Sequence, residues 1–188
     1  MFEKRGYNDI LYVGGDDSNH AGNSLGEIIV ATFSLLCKDG LVRDFPNVRD
    51  YSFLPDWINS EMRDYRFGIL TEEKYRHSHS NLTRTIPSLI TSFLDEMDFG
   101  VRILKIYLDG RLDKNGRNFL RDRFYGFRGI ESVIVDNFIK KQKNNRGRIS
   151  KHPHCPPVVY YADLLAHQLF SNETFRELST HPKLVLIR

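Results

Sequence analysis

From residue 81 onward the chain alternates long runs of helical period with short runs rich in β-branched residues. This alternation constrains the fold more than any other feature of the sequence. "NLTRTIPSLITSFLDEMDFG" puts Ile86, Leu89, Ile90 and Phe93 at helical spacing, with Gly100 as the expected terminator. "VRILKIYLDG" reads as a strand, "RNFLRDRFYGF" as a helix and "IESVIVDN" as another strand. "PPVVYYADLLAHQLFSNETFREL" reads as a helix opened by prolines, which suit a first turn. Upstream, "DILYVGG" and "GEIIVATFSLLCKDG" read as strands, and Asp39-Gly40 signals a hairpin. The hairpin would lead into a third, more exposed strand in "LVRDFPNVRDYSFL" (41–54). Three strands followed by β-α alternation predict an α/β fold: a mixed five-stranded sheet flanked by helices.

The 188 residues suit a single domain spanning 1–188, long enough to bury a core without disulfide staples. Within it, an aromatic and basic insertion is expected around 55–81 and a basic loop around 140–157. Cys37 and Cys155 imply no disulfide framework, and a reducing compartment is the simple reading. "ILYVGG" is too short for a signal core, and no run approaches the length of a membrane span. A cytoplasmic protein with no membrane partner is therefore expected. The formal net charge of +3 is too small to imply a nucleic-acid partner by itself, so the placement of charge matters more.

Acidic residues fall where charge is least expected. Asp16 and Asp17 end the first strand, Asp109 the fourth and Asp136 the fifth, while Asp163 lies in the apolar "YYADLLA" of the last helix. Each also fits a blander role: strand-end aspartates suit turns, and an early-turn Asp suits a helix dipole. Clustered carboxylates repel unless a cation neutralises them, and Mg²⁺ or Mn²⁺ takes oxygen ligands. Two such ions roughly 4 Å apart clamp both reacting oxygens of a phosphodiester. His167, four residues after Asp163, shares its helix face and would be a further ligand, a proton-transfer group or a structural residue.

The pattern resembles the ribonuclease H-like superfamily, which includes ribonucleases H, integrases and Holliday-junction resolvases. More narrowly it is similar to a widespread, uncharacterised prokaryotic group within that superfamily. The first strand of that group ends in Asp-Glu-Ser-Gly, and its last helix carries Ala-Asp-Leu-hydrophobic-Ala. Here the matching stretches are "DDSN" (Asp16 to Asn19) and "ADLLA" (Ala162 to Ala166). The resemblance implies three antiparallel strands followed by alternating helices and parallel strands. It also implies two divalent ions held by Asp16, Asp109 and Asp163, with Asp136 as a further acid at the end of the fifth strand; His167 joins this expected catalytic site on its spacing from Asp163 alone. The chain departs from the pattern at Asp17, where Glu is usual, and at Asn19, where Gly is usual. The helix-borne glutamate of ribonuclease H has no counterpart, because Glu96 stands too near its helix end.

Between Asn137 and Ala162 there is no acid, but there are Lys140, Lys141, Lys143, Arg146, Arg148 and Lys151. Such a basic loop is either solvated surface or a nucleic-acid contact whose affinity falls with salt. "RDYRFGILTEEKYRHSHS" interleaves Arg63, Tyr65, Arg66, Phe67, Tyr75, Arg76 and His77, which suits base stacking or core packing. "HPHC" lacks a second ligand pair for zinc, and neither a phosphate loop nor a serine-hydrolase elbow is present. The functional expectation is a two-metal-ion nuclease or related phosphodiester-processing enzyme with DNA or RNA as its partner. The rival is a nucleic-acid-binding or scaffold subunit with a degenerate site. A third reading is a metal-dependent phosphatase acting on a small ester. The sequence leaves the oligomeric state open.

Overall fold

The structure is a computed structural model that describes residues 10–18, 27–34, 64–70, 80–97, 100–109, 112–138, 157–172 and 175–187. In chain order the elements are β1 (Ile10–Asp17), β2 (Glu27–Ser34), β3 (Asp64–Leu70), α1 (Ser80–Asp95), β4 (Ile103–Asp109), α2 (Lys114–Phe124), a 3-10 turn (Phe127–Gly129), β5 (Ser132–Phe138), α3 (Pro157–Asn172) and α4 (Phe175–Ser179). The strands lie in the order β3-β2-β1-β4-β5. β1 is antiparallel to β2, and β2 to β3, while β1–β4 and β4–β5 are parallel. This is the expected mixed five-stranded sheet, in the arrangement that the ribonuclease H-like resemblance implies.

Strand alternation divides the sheet into two faces. Leu11 and Val13 of β1, Leu104 and Ile106 of β4, and Val133 and Val135 of β5 pack on one core with α1 and α2. The apolar stripe of α1 behaves as its spacing predicts: Ile86, Leu89, Ile90 and Phe93 are all buried there. Phe93 stacks on Phe33 with centroids 4.0 Å apart. Each such fully buried side chain contributes about 2 kcal/mol of apolar burial. On the other face, Ile28, Val30 and Phe67 pack against Tyr161, Leu165 and Leu169 of α3.

The Gly-Gly that precedes Asp16 is explained by this sandwich. A Cβ on Gly14 would stand 2.1 Å from the backbone of Val158 in α3, and one on Gly15 would stand 2.7 Å from Ile86 of α1. Each glycine admits one helix layer. The Thr32 hydroxyl, on the residue paired with Gly14, donates to the Val158 carbonyl at 2.6 Å and pins the same turn of α3.

Two expectations need correction. The strand paired with β2 is Asp64–Leu70, inside the stretch read as an insertion, whereas the stretch expected to supply it (41–54) lies outside the described residues. Its sequence, "DYRFGIL", hides its character because Arg66 is a charged residue on a core face. That charge is neutralised by Asp64 at 2.7 Å and Glu96 at 2.5 Å, and its guanidinium lies 5.7 Å from the Phe93 ring centroid. The second correction concerns α1, which ends at Asp95, before Gly100. The Glu96 and Met97 N–H groups donate to the Phe93 and Leu94 carbonyls, tightening the last turn without a glycine.

Among the described residues, the C-terminal "KLVLI" (183–187) lies along the outer edge of β3. The Phe67 N–H donates to the Lys183 carbonyl at 3.1 Å, and the Val185 N–H donates to the Phe67 carbonyl at 2.8 Å. His181 packs edge-on against Phe67, and Lys183 pairs with Asp64 at 2.7 Å. Among the described residues no helix is long and apolar enough to cross a membrane.

Candidate active site

β1 brings Asp16 and Asp17 to the C-terminal end of the central strand, and alternation sends them to opposite faces. Gly14 faces α3 and Gly15 faces α1, so Asp16 faces α3 and Asp17 faces α1. Asp16 is 7% exposed, and one of its carboxylate oxygens accepts the Asp17 N–H at 2.8 Å. In β4, Leu104, Ile106 and Leu108 enter the α1 core, so Asp109 lies on the α3 face. The parallel register pairs Gly15 with Leu108. One step further it sets Asp16 and Asp109 side by side on the same face, at the ends of adjacent strands.

Asp136 is on that face too, but one strand further out and two residues back, opposite Tyr107, because β5 runs on to Phe138 rather than ending at Asp136. It is exposed, and its carboxylate accepts the Asn137 N–H at 2.8 Å. Asp163 is half-buried on α3, one turn beyond Val159, which packs on Gly14. His167 is exposed one turn further on, with Nδ1 3.4 Å from the Ser171 hydroxyl. Among the described residues no three His, Cys, Asp or Glu side chains stand close enough together to hold a metal ion. What the register brings into neighbouring positions is a pair, Asp16 and Asp109, with Asp163 on the helix above β1. The donors are all carboxylates, the chemistry that suits a hard divalent cation.

Lys140, Lys141, Lys143, Arg146, Arg148 and Lys151 lie outside the described residues, as do the "HPHC" stretch, Arg63, Tyr75, Arg76 and His77. Phe67 is fully buried in the core, and Arg66 is buried and ion-paired, so neither presents itself to a base. Glu96 is engaged by Arg66 after the end of α1.

No family model and no curated protein matches the chain. One similar solved structure is the ribonuclease H2 from Pyrococcus horikoshii OT3. It is 14% identical with a TM-score of 0.48, over 93% of this chain and 81% of that one.

One acid escaped the sequence reading. Glu27 opens β2 at 8% exposure, on the α1 face, and accepts a hydrogen bond from the Asn81 side-chain amide. Burial pushes its carboxyl up to about 7, against the Asn81 bond and with help from Asp17, which shares a hydrogen bond and a like charge with it. Asp17 is therefore half-buried and tied to Glu27 rather than pointing idly to solvent beside Asp16. The available signal was an acid at the head of the apolar run "EIIVATF".

Proposed function

We propose that the chain is a metal-dependent nuclease, or a related phosphodiester-processing enzyme, acting on nucleic acid. The observation that carries this reading is the buried Asp16 set beside Asp109 by the register of β1 and β4. A buried carboxylate next to a second one is costly unless a cation offsets both charges. Asp16 and Asp109, with Asp163 drawn in from α3 as the ion binds, since the three do not converge without it, would hold Mg²⁺ or Mn²⁺, two ions in the fullest form of the site. When bound, such ions activate water and stabilise the oxygen that leaves a phosphodiester. Asp136 would border the site on the β5 side, and His167 would serve proton transfer from the rim. Lys140, Lys141, Lys143, Arg146, Arg148 and Lys151 would hold the nucleic-acid backbone in the salt-sensitive way of phosphate contacts.

The test is incubation of purified protein with labelled single-stranded, duplex, hybrid and branched nucleic acids in Mg²⁺, Mn²⁺ or EDTA. Cleavage should require the divalent ion and vanish in Asp16→Asn and Asp109→Asn. Binding without cleavage in Mn²⁺, unchanged in Asp16→Asn, would replace the enzyme with a nucleic-acid-binding subunit. Turnover of a small phosphate ester without nucleic-acid affinity would replace it with a phosphatase.

A further inference from the structure

α2 follows β4 closely, so its first turn lies at the same end of the sheet as Asp109. Leu120 and Phe124 are buried and fix which side of the helix faces inward. Lys114, Arg117 and Arg121 then recur at helical spacing along one flank. That flank faces the outer edge of the sheet, since Arg117 Nη1 donates to the side chain of Asn137 at 3.2 Å. Asn137 directly follows Asp136 on β5, the edge strand.

The stripe is cationic and unspent. Lys114 and Arg121 are exposed, and among the described residues neither has an ion-pair partner. The exposed cations Arg102 and Arg128, by contrast, are paired with Glu131 and Asp95. The nearby acid Asp113 keeps its charge but is held at the helix start as the cap, accepting the Gly116 N–H, and leaves three cations against one anion there. From Lys114 to Arg121 the helix rises about 10 Å, the axial span of about three phosphates on one strand of a duplex.

We propose that the α2 flank carrying Lys114, Arg117 and Arg121 is a docking track for a nucleic-acid phosphate backbone, leading from the Asp16–Asp109 end of the sheet along the edge of β5. The track rests on the reading of this chain as a nucleic-acid-processing protein, and it names where the strand goes after leaving the carboxylates. It holds the backbone without reading sequence, because phosphate contacts position a strand and carry no base information.

The experiment measures fluorescence anisotropy of labelled single-stranded, duplex and hybrid oligonucleotides across a NaCl series. It is done in EDTA so that nothing is cleaved, using the full chain, the triple variant K114A/R117A/R121A, Arg102→Ala and Asp16→Asn. Alanine favours helix, and circular dichroism checks that each variant is folded. The triple variant should bind at least about tenfold more weakly, and its slope of log affinity against log salt should fall by about 2–3 on a duplex. Arg102→Ala, at the opposite end of β4, should bind as the wild type does. Asp16→Asn should also keep its affinity while losing cleavage when Mn²⁺ is restored.

Wild-type affinity and slope in the triple variant would overturn the track. If that variant also self-associates, its cations merely shield the edge of β5. Absence of wild-type binding would overturn it as well. The two readings fail separately. Cleavage in Mn²⁺ with an unaffected triple variant leaves the enzyme and removes the track. Stripe-dependent binding with no cleavage in any metal leaves the track and removes the enzyme.

Discussion

Replacing Glu27 by glutamine should make the protein more stable at neutral and alkaline pH, and the effect should vanish in acid. Glu27 is buried on the α1 face, accepts a hydrogen bond from Asn81 and shares a further one with Asp17. Its carboxyl is raised from 4.5 to about 7, chiefly by burial; Asn81 opposes the rise and Asp17 adds to it. A carboxyl raised on folding stabilises the native state fully below its unfolded value. That contribution is lost as pH climbs through the folded value. The window therefore runs from about pH 4.5 to about pH 7. At about 1.36 kcal/mol per pH unit, the loss across it is on the order of 3 kcal/mol. Glutamine keeps an acceptor for Asn81 and a donor for Asp17 but never ionises. Urea unfolding followed by circular dichroism, for wild type and Glu27→Gln at a series of pH values, measures the difference directly. The two stabilities should be close near pH 4.5 and separate towards pH 8, with the variant on top. Every other ionisable group is common to both proteins and cancels in the difference. Parallel curves over the whole range would show that Glu27 ionises at its ordinary value, and the account of its burial would be wrong.

The packing sets the outcome for four further variants. Asp64→Asn should cost about 3 kcal/mol by urea unfolding, because it strips a partner from the buried Arg66. Burial would raise the Asp64 carboxyl, but Lys183, Arg66 and the Tyr65 N–H outweigh it and hold it below its usual 3.8. The wild type should therefore lose this stability as pH falls below about 3.8, and the variant should lack that loss. Gly14→Ala should destabilise by about 3 kcal/mol or more, since its methyl would press on the Val158 backbone and lift α3. In that variant any metal-dependent cleavage should fall with Asp163 displaced, whereas Thr32→Val should cost only about 1 kcal/mol for one hydrogen bond. Removal of residues 181–188 should expose the edge of β3 and cause concentration-dependent self-association in sedimentation velocity.

The elements whose period is local were legible in the sequence. Ile86, Leu89, Ile90 and Phe93 announce α1 because a helix repeats its own pattern within a few residues. β1, β4 and β5 were legible for the same reason, and with them the strand-end positions of Asp16 and Asp109; Asp136, expected to end its strand, instead stands two residues short of the end of β5, which runs on to Phe138. What long-range partners choose was not legible. β3 contains a buried Arg66 that looks like surface until Asp64, Glu96 and Phe93 surround it. The choice of 64–70 as the third strand belongs to its pairing with β2, which no run of a few residues encodes. Likewise two adjacent aspartates look alike in a string of letters. The pleat separates them, sending Asp16 towards Asp109 and α3 and Asp17 towards Glu27 and α1. Sequence alone determined that carboxylates would stand at the ends of β1 and β4. Only the tertiary structure decided which of them share a face, because strand register and helix placement are properties of pairs of segments far apart in the chain.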